Sequence, residues 1–203
     1  MLLLASSCTG IFITSLEGDA EWTAPSGSIE VTCIISSSDG DGLSYEWSTT
    51  GGNMAGTGAV VDWIAPEEVG MYDVTVVVTD SEDGQDTASI TLIASNGPPP
   101  VIQDLIVTAD HKYLKESPDG YKVGKGYDYS IECVASSNTS GEMVYEWSCT
   151  NGLISGEGSI IAWSAPDTVC DVTVTVKVFD GLGNWVRKGV LLEVVACSAC
   201  TFG

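Results

Sequence analysis

The stretch at residues 45–48 reads Tyr-Glu-Trp-Ser, and the same four letters return at residues 145–148. A shift of 100 residues aligns positions 29–80, which surround this stretch, with positions 129–180 without a gap. Twenty of these 52 aligned positions are identical, including the Trp, Ala and Pro of the stretch at 63–66. A repeat of this length predicts two copies of one domain.

The boundary between the two copies is marked by residues 96–100, which read Asn-Gly-Pro-Pro-Pro. Gly and Pro interrupt regular elements, and consecutive prolines favour an extended, fairly stiff linker. We therefore expect an N-terminal segment at residues 1–10, domains at 11–96 and 97–196, and a C-terminal tail at 197–203.

Each copy alternates between apolar and polar residues with a period of two. Val74, Val76 and Val78 share one face of the run at 72–79, and the run at 172–179 repeats the pattern. Such runs, rich in Val, Ile and Thr, are typical of half-buried strands, and the Gly- and Asp-rich turns between them have the spacing of a sandwich. The predicted fold class is all-β: two tandem antiparallel sandwiches, with Trp47 or Trp147 as the core aromatic residue.

The second copy carries an additional piece before its first repeated strand. Residues 111–129 predict a projecting hairpin with its turn at Ser117-Pro118-Asp119-Gly120. The hairpin holds four of the seven basic residues of the chain: Lys112, Lys115, Lys122 and Lys125.

The motifs resemble bacterial and archaeal PKD-like or Ig-like extracellular domains. The likeness lies in the run Tyr-x-Trp-Ser, Gly-x-Gly, Trp-x-Ala-Pro and Tyr-x-Val-Thr-Val-x-Val-x-Asp, and it covers roughly residues 11–95 and 98–196. The resemblance implies an Ig-like (PKD-like) fold and a location outside the cell, in domains that serve as spacers, adhesive units or appendage subunits. The second copy departs from the pattern at residues 138–140 and at Val172.

The charge of the chain is large, negative and unevenly distributed. The 28 acidic and 7 basic residues give a net charge of −21. Residues 1–100 contain 15 acidic residues and no Lys or Arg, whereas residues 101–203 contain 13 acidic residues and all 7 basic ones. This balance argues against nucleic-acid or anionic-membrane partners. No apolar run reaches the roughly 18 residues of a transmembrane helix.

The chain has one histidine, His111. A single histidine removes most hydrolase and zinc-site chemistry, and the Gly-x-Gly pairs lack the following helix that a cofactor-binding motif requires. The sequence therefore predicts a protein that is not an enzyme, with no catalytic residues and no organic cofactor.

Four of the seven cysteines lie on predicted strands. Cys33 and Cys133 occupy equivalent inward positions without a cysteine on the facing strand, and we expect them to be buried free thiols. Cys149 ends one predicted strand and Cys170 begins its antiparallel neighbour. We therefore expect a Cys149–Cys170 disulfide.

The remaining cysteines lie near the chain ends. Cys197 and Cys200 form a lone Cys-x-x-Cys, for which a local or intermolecular disulfide is expected rather than redox catalysis. Cys8 follows a Leu-Ala-Ser-Ser stretch similar to a lipoprotein cleavage box, which predicts lipidation. The alternative is that this segment is a strand of the fold.

Two further sites are suggested by short motifs. Acidic turns favour Ca²⁺ because carboxylate oxygens are its usual ligands, and an ion-free acidic loop is the alternative; the residues are Asp39, Asp41, Asp80, Asp83 and Asp86. Asn138 begins an Asn-Thr-Ser triplet, the form of an N-glycosylation acceptor.

Two classes of function remain open. The first is a subunit of a filament, lattice or appendage on a prokaryotic envelope, in which copies bind head to tail. The second is a monomeric spacer or adhesion module of a cell-envelope lipoprotein that binds a protein or glycan. For assembly, we expect the interface to use the hairpin lysines and two apolar segments, Leu2-Leu3-Leu4 and Ile11-Phe12-Ile13.

Overall fold

The computed structural model describes residues 11–36 and 42–197, together with Phe202. The chain divides into two compact units, Met1–Gly97 and Pro98–Gly203, and each unit pairs its strands into two sheets. Within the described residues, no helix combines the length and the apolar character needed to cross a membrane.

The described residues of the first domain form eight strands. They are β1 (Phe12–Gly18), β2 (Trp22–Thr23), β3 (Ser28–Ser36), β4 (Ser44–Thr49), β5 (Asn53–Ala55), β6 (Val60–Ile64), β7 (Gly70–Thr79) and β8 (Gln85–Ala94). One sheet has the order β1-β3-β6-β5 and the other has the order β2-β8-β7-β4.

The second domain repeats this arrangement and adds a hairpin. Its strands are β9 (Val101–Thr108), β10 (Leu114–Ser117), β11 (Gly120–Gly124), β12 (Asp128–Ser136), β13 (Val144–Cys149), β14 (Leu153–Ser155), β15 (Ile160–Ser164), β16 (Cys170–Phe179) and β17 (Trp185–Val195). Its sheets have the orders β14-β15-β12-β9 and β10-β11-β17-β16-β13.

The strand order identifies the architecture. The four-stranded order β1-β3-β6-β5 facing β8-β7-β4 is that of an immunoglobulin constant-type sandwich. The second domain matches it with β9-β12-β15-β14 facing β17-β16-β13. The predicted fold class, two tandem Ig-like β-sandwiches, is confirmed.

One pairing in each domain departs from the antiparallel sandwich that was expected. β2 runs parallel to β8, and β11 runs parallel to β17. In the first domain the chain passes from one sheet to the other after β1, so that β2 lies along the last strand of the domain rather than returning beside β1.

The lysine-bearing hairpin is present, but it does not project. β10 and β11 pair antiparallel, with Ser117 opposite Gly120, which leaves Pro118 and Asp119 as a two-residue loop. Because β11 also pairs with β17 along residues 120–124, the hairpin extends a sheet of the sandwich. The prediction of a free projecting arm is therefore wrong.

The cores follow the period of two. In the first domain, Val74, Val76 and Val78 of β7 are fully buried. The residues between them on the same strand face outward. The equivalent inward residues of β16 are Val172, Val174, Val176 and Val178, and all four are fully buried. A chain of alternating residues buries one face of a sheet in this way because successive side chains point to opposite sides.

The central aromatic residues are Trp63 and Trp163, both of which have no exposed surface. Trp47 and Trp147, which the sequence singled out, pack against the cores but remain partly exposed. The expectation for Trp47 and Trp147 was therefore wrong, because the strand that carries them is the edge of its sheet.

Each buried indole keeps a hydrogen bond to a neighbouring turn. Trp63 Nε1 donates to the Gly51 carbonyl at 2.9 Å, and Trp163 Nε1 donates to the Asn151 carbonyl at 3.1 Å. The residue after each acceptor is a glycine with a positive φ, 82° at Gly52 and 86° at Gly152. A Cβ at Gly152 would clash with the Trp163 indole, and one at Gly52 would clash with the Ile64 carbonyl. Burial of a Trp N–H without such a partner would be costly.

We predict that Trp163→Ala lowers the free energy of unfolding of the second domain by about 3–5 kcal/mol, as for other buried aromatic truncations. Trp147→Ala should cost less, because part of its ring already faces solvent. Leu153→Ala is the control, since Leu153 is 75% exposed and should change stability by less than about 0.5 kcal/mol. Urea unfolding of the full chain measures all three. A larger loss for Trp147→Ala would contradict this assignment of the core.

Candidate interaction surfaces

The N-terminal apolar segment belongs in part to the core of the first domain. Ile11 and Ile13 are 9% and 8% exposed and contact the cluster that contains Cys33. The Ile13 backbone N–H also donates to Asp86 Oδ2 at 2.7 Å. Ile11 and Ile13 are therefore not free to bind a neighbouring molecule, which corrects that part of the interface prediction. Phe12 points outward and is 63% exposed.

The rest of that predicted interface lies outside the described residues. This applies to Leu2, Leu3 and Leu4, and also to the lipidation candidate Cys8.

Lys122 and Lys125 of the hairpin form ion pairs within the second domain. Lys122 Nζ lies 3.1 Å from Glu193 Oε2, and Lys125 Nζ lies 3.1 Å from Asp167 Oδ1. Lys112 Nζ lies 5.4 Å from the centroid of the Tyr113 ring. The exposed ion pairs add little to stability, but they reduce the charge that the hairpin offers to a partner.

The single histidine lies in an aromatic cluster at one end of the second domain. The His111 ring centroid is 4.7 Å from that of Tyr127 and 5.0 Å from that of Tyr129. Its Nδ1 accepts a hydrogen bond from the Tyr113 N–H, and its Nε2 lies 3.2 Å from the Asp128 carbonyl. These contacts fit the tautomer that carries its hydrogen on Nε2, and each ring nitrogen has a backbone partner.

Tyr129 anchors this cluster to the core. Its hydroxyl accepts from the Gly124 N–H at 2.6 Å and donates to the Tyr113 carbonyl at 2.7 Å. Burial raises the pKa of Tyr129 to about 12. The phenol therefore stays protonated and structural, and the cluster joins the hairpin to the sandwich. Sequence reasoning missed it, although the tyrosines at 113, 127 and 129 around one histidine were a visible signal.

The aspartates of the turns mainly accept hydrogen bonds from backbone N–H groups. Asp80 Oδ1 accepts from the N–H groups of Glu82 and Gly84 at 2.9 and 2.8 Å. Asp180 repeats this at the equivalent turn, where it is 6% exposed and also accepts from the Asn184 side chain. Such bonds fix the turn between the two longest strands of each domain.

The calcium prediction draws no direct support from this turn. The Asp86 carboxylate accepts a hydrogen bond from the Ile13 backbone N–H, and Asp83 occupies a left-handed backbone conformation with φ 63°. The described part of the chain contains no group of three His, Cys, Asp or Glu side chains arranged to hold a metal. Asp39 and Asp41 lie outside the described residues, and calcium binding stays a prediction.

The predicted Cys149–Cys170 disulfide is not formed, and both residues are free thiols. The strands that carry them do pair, but Cys149 lies opposite Val174. Cys170 lies four residues before Val174 on β16, which is about 13 Å from Val174 at the usual strand rise. Cα atoms joined by a disulfide lie within about 7 Å, so this register separates the two residues too far.

The other cysteines differ in burial. Cys33 and Cys133 are 4% and 3% exposed free thiols. Burial raises the pKa of Cys33, with a smaller contribution from Asp86, and raises that of Cys133 to about 11 against the opposing effect of Lys188. Cys197 is a partly exposed free thiol, and its predicted partner Cys200 lies outside the described residues.

We predict that iodoacetamide at pH 8 labels Cys149 and Cys170 in the folded protein, because both are partly exposed. Cys33 and Cys133 should react only after denaturation, since they are buried and the thiolate is the reactive form. Peptide mass mapping before and after denaturation resolves the four sites. Recovery of Cys149 and Cys170 as one linked peptide would show that the disulfide forms. Rapid labelling of Cys133 in the folded protein would contradict its burial.

We also predict that stability falls between pH 9 and 11. The pKa of Cys133 rises from 9.0 in the unfolded chain to about 11 in the folded one. Below pH 9 the thiol is protonated in both states. Between these values the unfolded chain loses the proton first, so stability declines by up to about 1.4 kcal/mol per pH unit.

Urea titrations at several pH values between 8 and 11 measure this decline. Cys133→Val, which has no ionisable group, should show a shallower slope over the same range. Equal slopes for the two proteins would mean that the buried thiol makes no such contribution.

Asn138 is exposed in the loop between β12 and β13. Beside it, the hydroxyls of Ser137 and Thr139 lie 2.8 Å apart. A glycan attached at this position would extend into solvent. Glycosylation of Asn138 stays a prediction.

The outer face of the second domain's five-stranded sheet carries a group that sequence reasoning missed. Lys177 lies opposite Arg187, and Phe179 lies opposite Trp185, on β16 and β17. Lys177 Nζ is 3.8 Å from the Trp185 ring centroid and 5.3 Å from that of Phe179. Val144 of β13 lies beside Phe179 and is 56% exposed. We call these five residues the cation–aromatic face.

The first domain lacks the two cations and the two aromatic residues at the equivalent place, although both domains keep a glutamate on the edge strand, Glu46 opposite Val77 and Glu146 opposite Lys177. The corresponding pairs are Val77 with Thr87 and Thr79 with Gln85, and Ser44 takes the place of Val144. A comparison of outward positions between the two copies would have found this difference, because the fold is the same and only the surface residues change.

The two domains also differ on their other sheets. In the first domain, Glu30 of β3 lies directly opposite Asp62 of β6, and both are exposed. The second domain has Ser130 opposite Ala162 in the same register. Glu30 and Asp62 form the paired-carboxylate site, with Val60 two residues away on the same face and 45% exposed.

No protein-family model matches the chain, and no curated protein matches its sequence. Among solved structures, the chain is similar to the N-terminal Ig1-2 module of the Drosophila receptor protein tyrosine phosphatase DLAR. The identity is 13%, the TM-score is 0.35, and the match covers 92% of this chain and 100% of that one.

Two bacterial structures are similar at the same level. For the fibronectin(III)-like modules of Clostridium thermocellum CbhA, the identity is 13% and the TM-score 0.34, over 90% of this chain and 95% of that one. For the Yersinia pseudotuberculosis adhesin InvE, the values are 14% and 0.34, over 92% of this chain and 61% of that one. Structural similarities this low do not assign a function to the chain.

Proposed function

We propose that the protein is a non-catalytic structural subunit of an extracellular or cell-surface assembly, in which copies bind head to tail. The segregation of charge carries this proposal. The first 100 residues hold 15 carboxylates and no Lys or Arg, whereas all seven basic residues follow position 100. First domains repel one another most strongly. The second domain, with 13 acidic and 7 basic residues, is also net negative, but it offers local clusters of cations to the first domain of the next copy.

A contact between two different domains has a consequence for the form of the assembly. It is heterologous, because the surface used on one copy is not the surface used on its neighbour. Such contacts extend into filaments unless the rotation between copies closes a ring. Charge on exposed side chains contributes at most about 1 kcal/mol per pair, so apolar contacts must supply most of the affinity.

Open sheet edges provide a second means of contact. In the first domain, β4 and β5 end their sheets, and β13 and β14 do so in the second domain. An unpaired strand edge accepts an added strand through backbone hydrogen bonds. The apolar residues Leu2, Leu3 and Leu4 are a segment of this chain suited to that role.

The non-catalytic role and the location are supported separately. Both ring nitrogens of His111 are bonded to the backbone of the second domain, which leaves the single histidine no free site for acid–base chemistry. The PKD-like sequence pattern supports an extracellular location on a prokaryotic envelope. The alternative function is a monomeric spacer or adhesion module with a protein or glycan partner.

We predict concentration-dependent assembly of the full chain at low ionic strength. Light scattering and electron microscopy should show head-to-tail oligomers in about 20 mM salt that dissociate towards monomer at 1 M, because salt screens exposed charges. A chain that stays monomeric at high concentration and low salt would contradict assembly and support the spacer module.

We further predict that deletion of residues 2–9 weakens assembly without lowering the melting temperature. The deletion stops before Ile11 because Ile11 and Ile13 belong to the core. As the matched control, Leu2, Leu3 and Leu4 are replaced together by Ser in the full-length chain. Assembly that is unchanged in both variants would exclude the N-terminal segment from the contact.

A further inference from the structure

One charged residue of the second domain lies at a position that normally belongs to the core. β17 alternates between buried and outward residues, and Lys188 occupies an inward position between the buried residues Val186 and Val190. Its partner on the neighbouring strand, Val176, is fully buried. Lysine is rare on an inward face because its ammonium must keep polar contacts. The first domain has Ala88 at this place, so the fold itself does not require a lysine.

The ammonium of Lys188 is held at the rim of the sandwich by one backbone bond. Nζ donates to the Gln103 carbonyl at 2.8 Å. An ammonium has three N–H donors, and among the described residues no carboxylate lies within ion-pair distance of Lys188. The group is therefore fixed in position and can still donate to another acceptor.

Lys188 lines a cleft of about 290 Å³ in the second domain, whose walls come from β9, the hairpin and β17. This volume is close to the lower end of the range for small-molecule sites, roughly 300–1,000 Å³. Part of the lining is apolar, because Leu105 and Val190 are buried core residues. The half-buried ring of Tyr121 packs against the same core and also lines the cleft. The cleft thus offers an aromatic and aliphatic surface to a ligand.

The charged groups of the cleft belong to the second domain alone. Besides Lys188, they are the exposed carboxylates Asp104 and Glu116. The first domain has Ser15 at the place of Asp104. It has no counterpart of the hairpin strand that carries Glu116, because only residues 19–21 join β1 to β2. Since the two domains share one fold, the cleft is not a by-product of that fold.

These groups select the chemistry of a ligand. An anion would face two carboxylates in a chain of net charge −21, and a cation would face Lys188. A neutral pyranose sugar avoids both conflicts, because each hydroxyl can donate to a carboxylate or accept from an ammonium. The C–H face of the sugar ring is apolar and matches the aromatic and aliphatic part of the cleft.

We propose that this cleft of the second domain binds a neutral pyranose sugar. Lys188 donates to a hydroxyl oxygen of the sugar, and Asp104 and Glu116 accept from its hydroxyls. Tyr121 contacts the C–H face of the ring. The inference goes beyond the proposed assembly and does not depend on it, since the cleft lies within one domain.

The test is a titration of the ¹⁵N-labelled full chain, followed in two-dimensional ¹H–¹⁵N spectra. The probes are the methyl pyranosides of glucose, galactose, mannose and N-acetylglucosamine. About 0.5 M NaCl screens charge contacts between copies, so assembly does not enter the measurement. At least one probe should give saturable shifts at the amides of Leu105, Gly120 and Gly189, with a Kd below about 10 mM. Because the probes are neutral, this Kd should change by less than about twofold between about 0.1 and 0.5 M NaCl.

Three variants connect the binding to the named groups. K188A installs the residue of the first domain, so the fold tolerates it, and it should raise the Kd at least about fivefold. E116Q keeps the shape of the side chain but removes one acceptor oxygen, and it should raise the Kd at least about threefold. K115A is the matched control for the loss of one lysine, because Lys115 lies beside Glu116 but outside the cleft. It should change the Kd by less than about twofold. Melting temperatures within about 3 °C of the unaltered chain confirm that each variant is folded.

The outcomes separate this inference from its alternatives. Saturable shifts at the cleft that weaken in K188A and E116Q support it. The inference is overturned if none of the four probes gives saturable shifts up to about 50 mM, or if K188A binds as tightly as the unaltered chain. Glycine, titrated in the same way, should leave these amides unchanged. Shifts with glycine alone would assign the cleft to a zwitterion instead. None of these results alters the case for head-to-tail assembly, which the scattering measurements at low salt decide.

Discussion

Each domain depends on the burial of one tryptophan between its two sheets. Trp63 and Trp163 have no exposed surface, and each reaches a carbonyl in the turn before β5 or β14. That turn can approach the indole because it contains Gly52 or Gly152. The cysteines that lie in the described cores, Cys33 and Cys133, are free thiols. Packing around the tryptophans, together with the buried valines of β7 and β16, therefore holds the sheets together.

This constraint explains which parts of the chain could vary between the copies. The central tryptophans, the alternating valines of β7 and β16 and the turn glycines Gly52 and Gly152 are shared, whereas the outward residues are not bound by packing. The second domain uses that freedom for the hairpin at β10–β11, the cluster around His111 and the cation–aromatic face. In the first domain, the only charged side chains are carboxylates, because residues 1–100 contain no Lys or Arg. The difference between the copies is therefore where function is to be sought.

The sequence predicted the fold well because the period of two and the exact repeat both report on backbone geometry. It did not predict the register that separates Cys149 from Cys170, since a shift along a strand leaves the alternation unchanged. It assigned Ile11 and Ile13 to a surface because an edge strand and a free apolar segment look alike in one dimension. The cation–aromatic face was missed because Lys177 and Arg187 are ten residues apart and meet only through the pairing of β16 with β17.

The most direct test of the central claim is a zero-length carbodiimide cross-link between copies that carry different nitrogen isotopes. Equal amounts of ¹⁴N- and ¹⁵N-labelled chains are mixed at low salt, cross-linked, digested and analysed by mass spectrometry. Our account predicts peptides in which a lysine from residues 101–203 of one isotope is joined to a carboxylate from residues 1–100 of the other. Mixed-isotope peptides confined to pairs within residues 101–203, or cross-links confined to a single isotope, would contradict it.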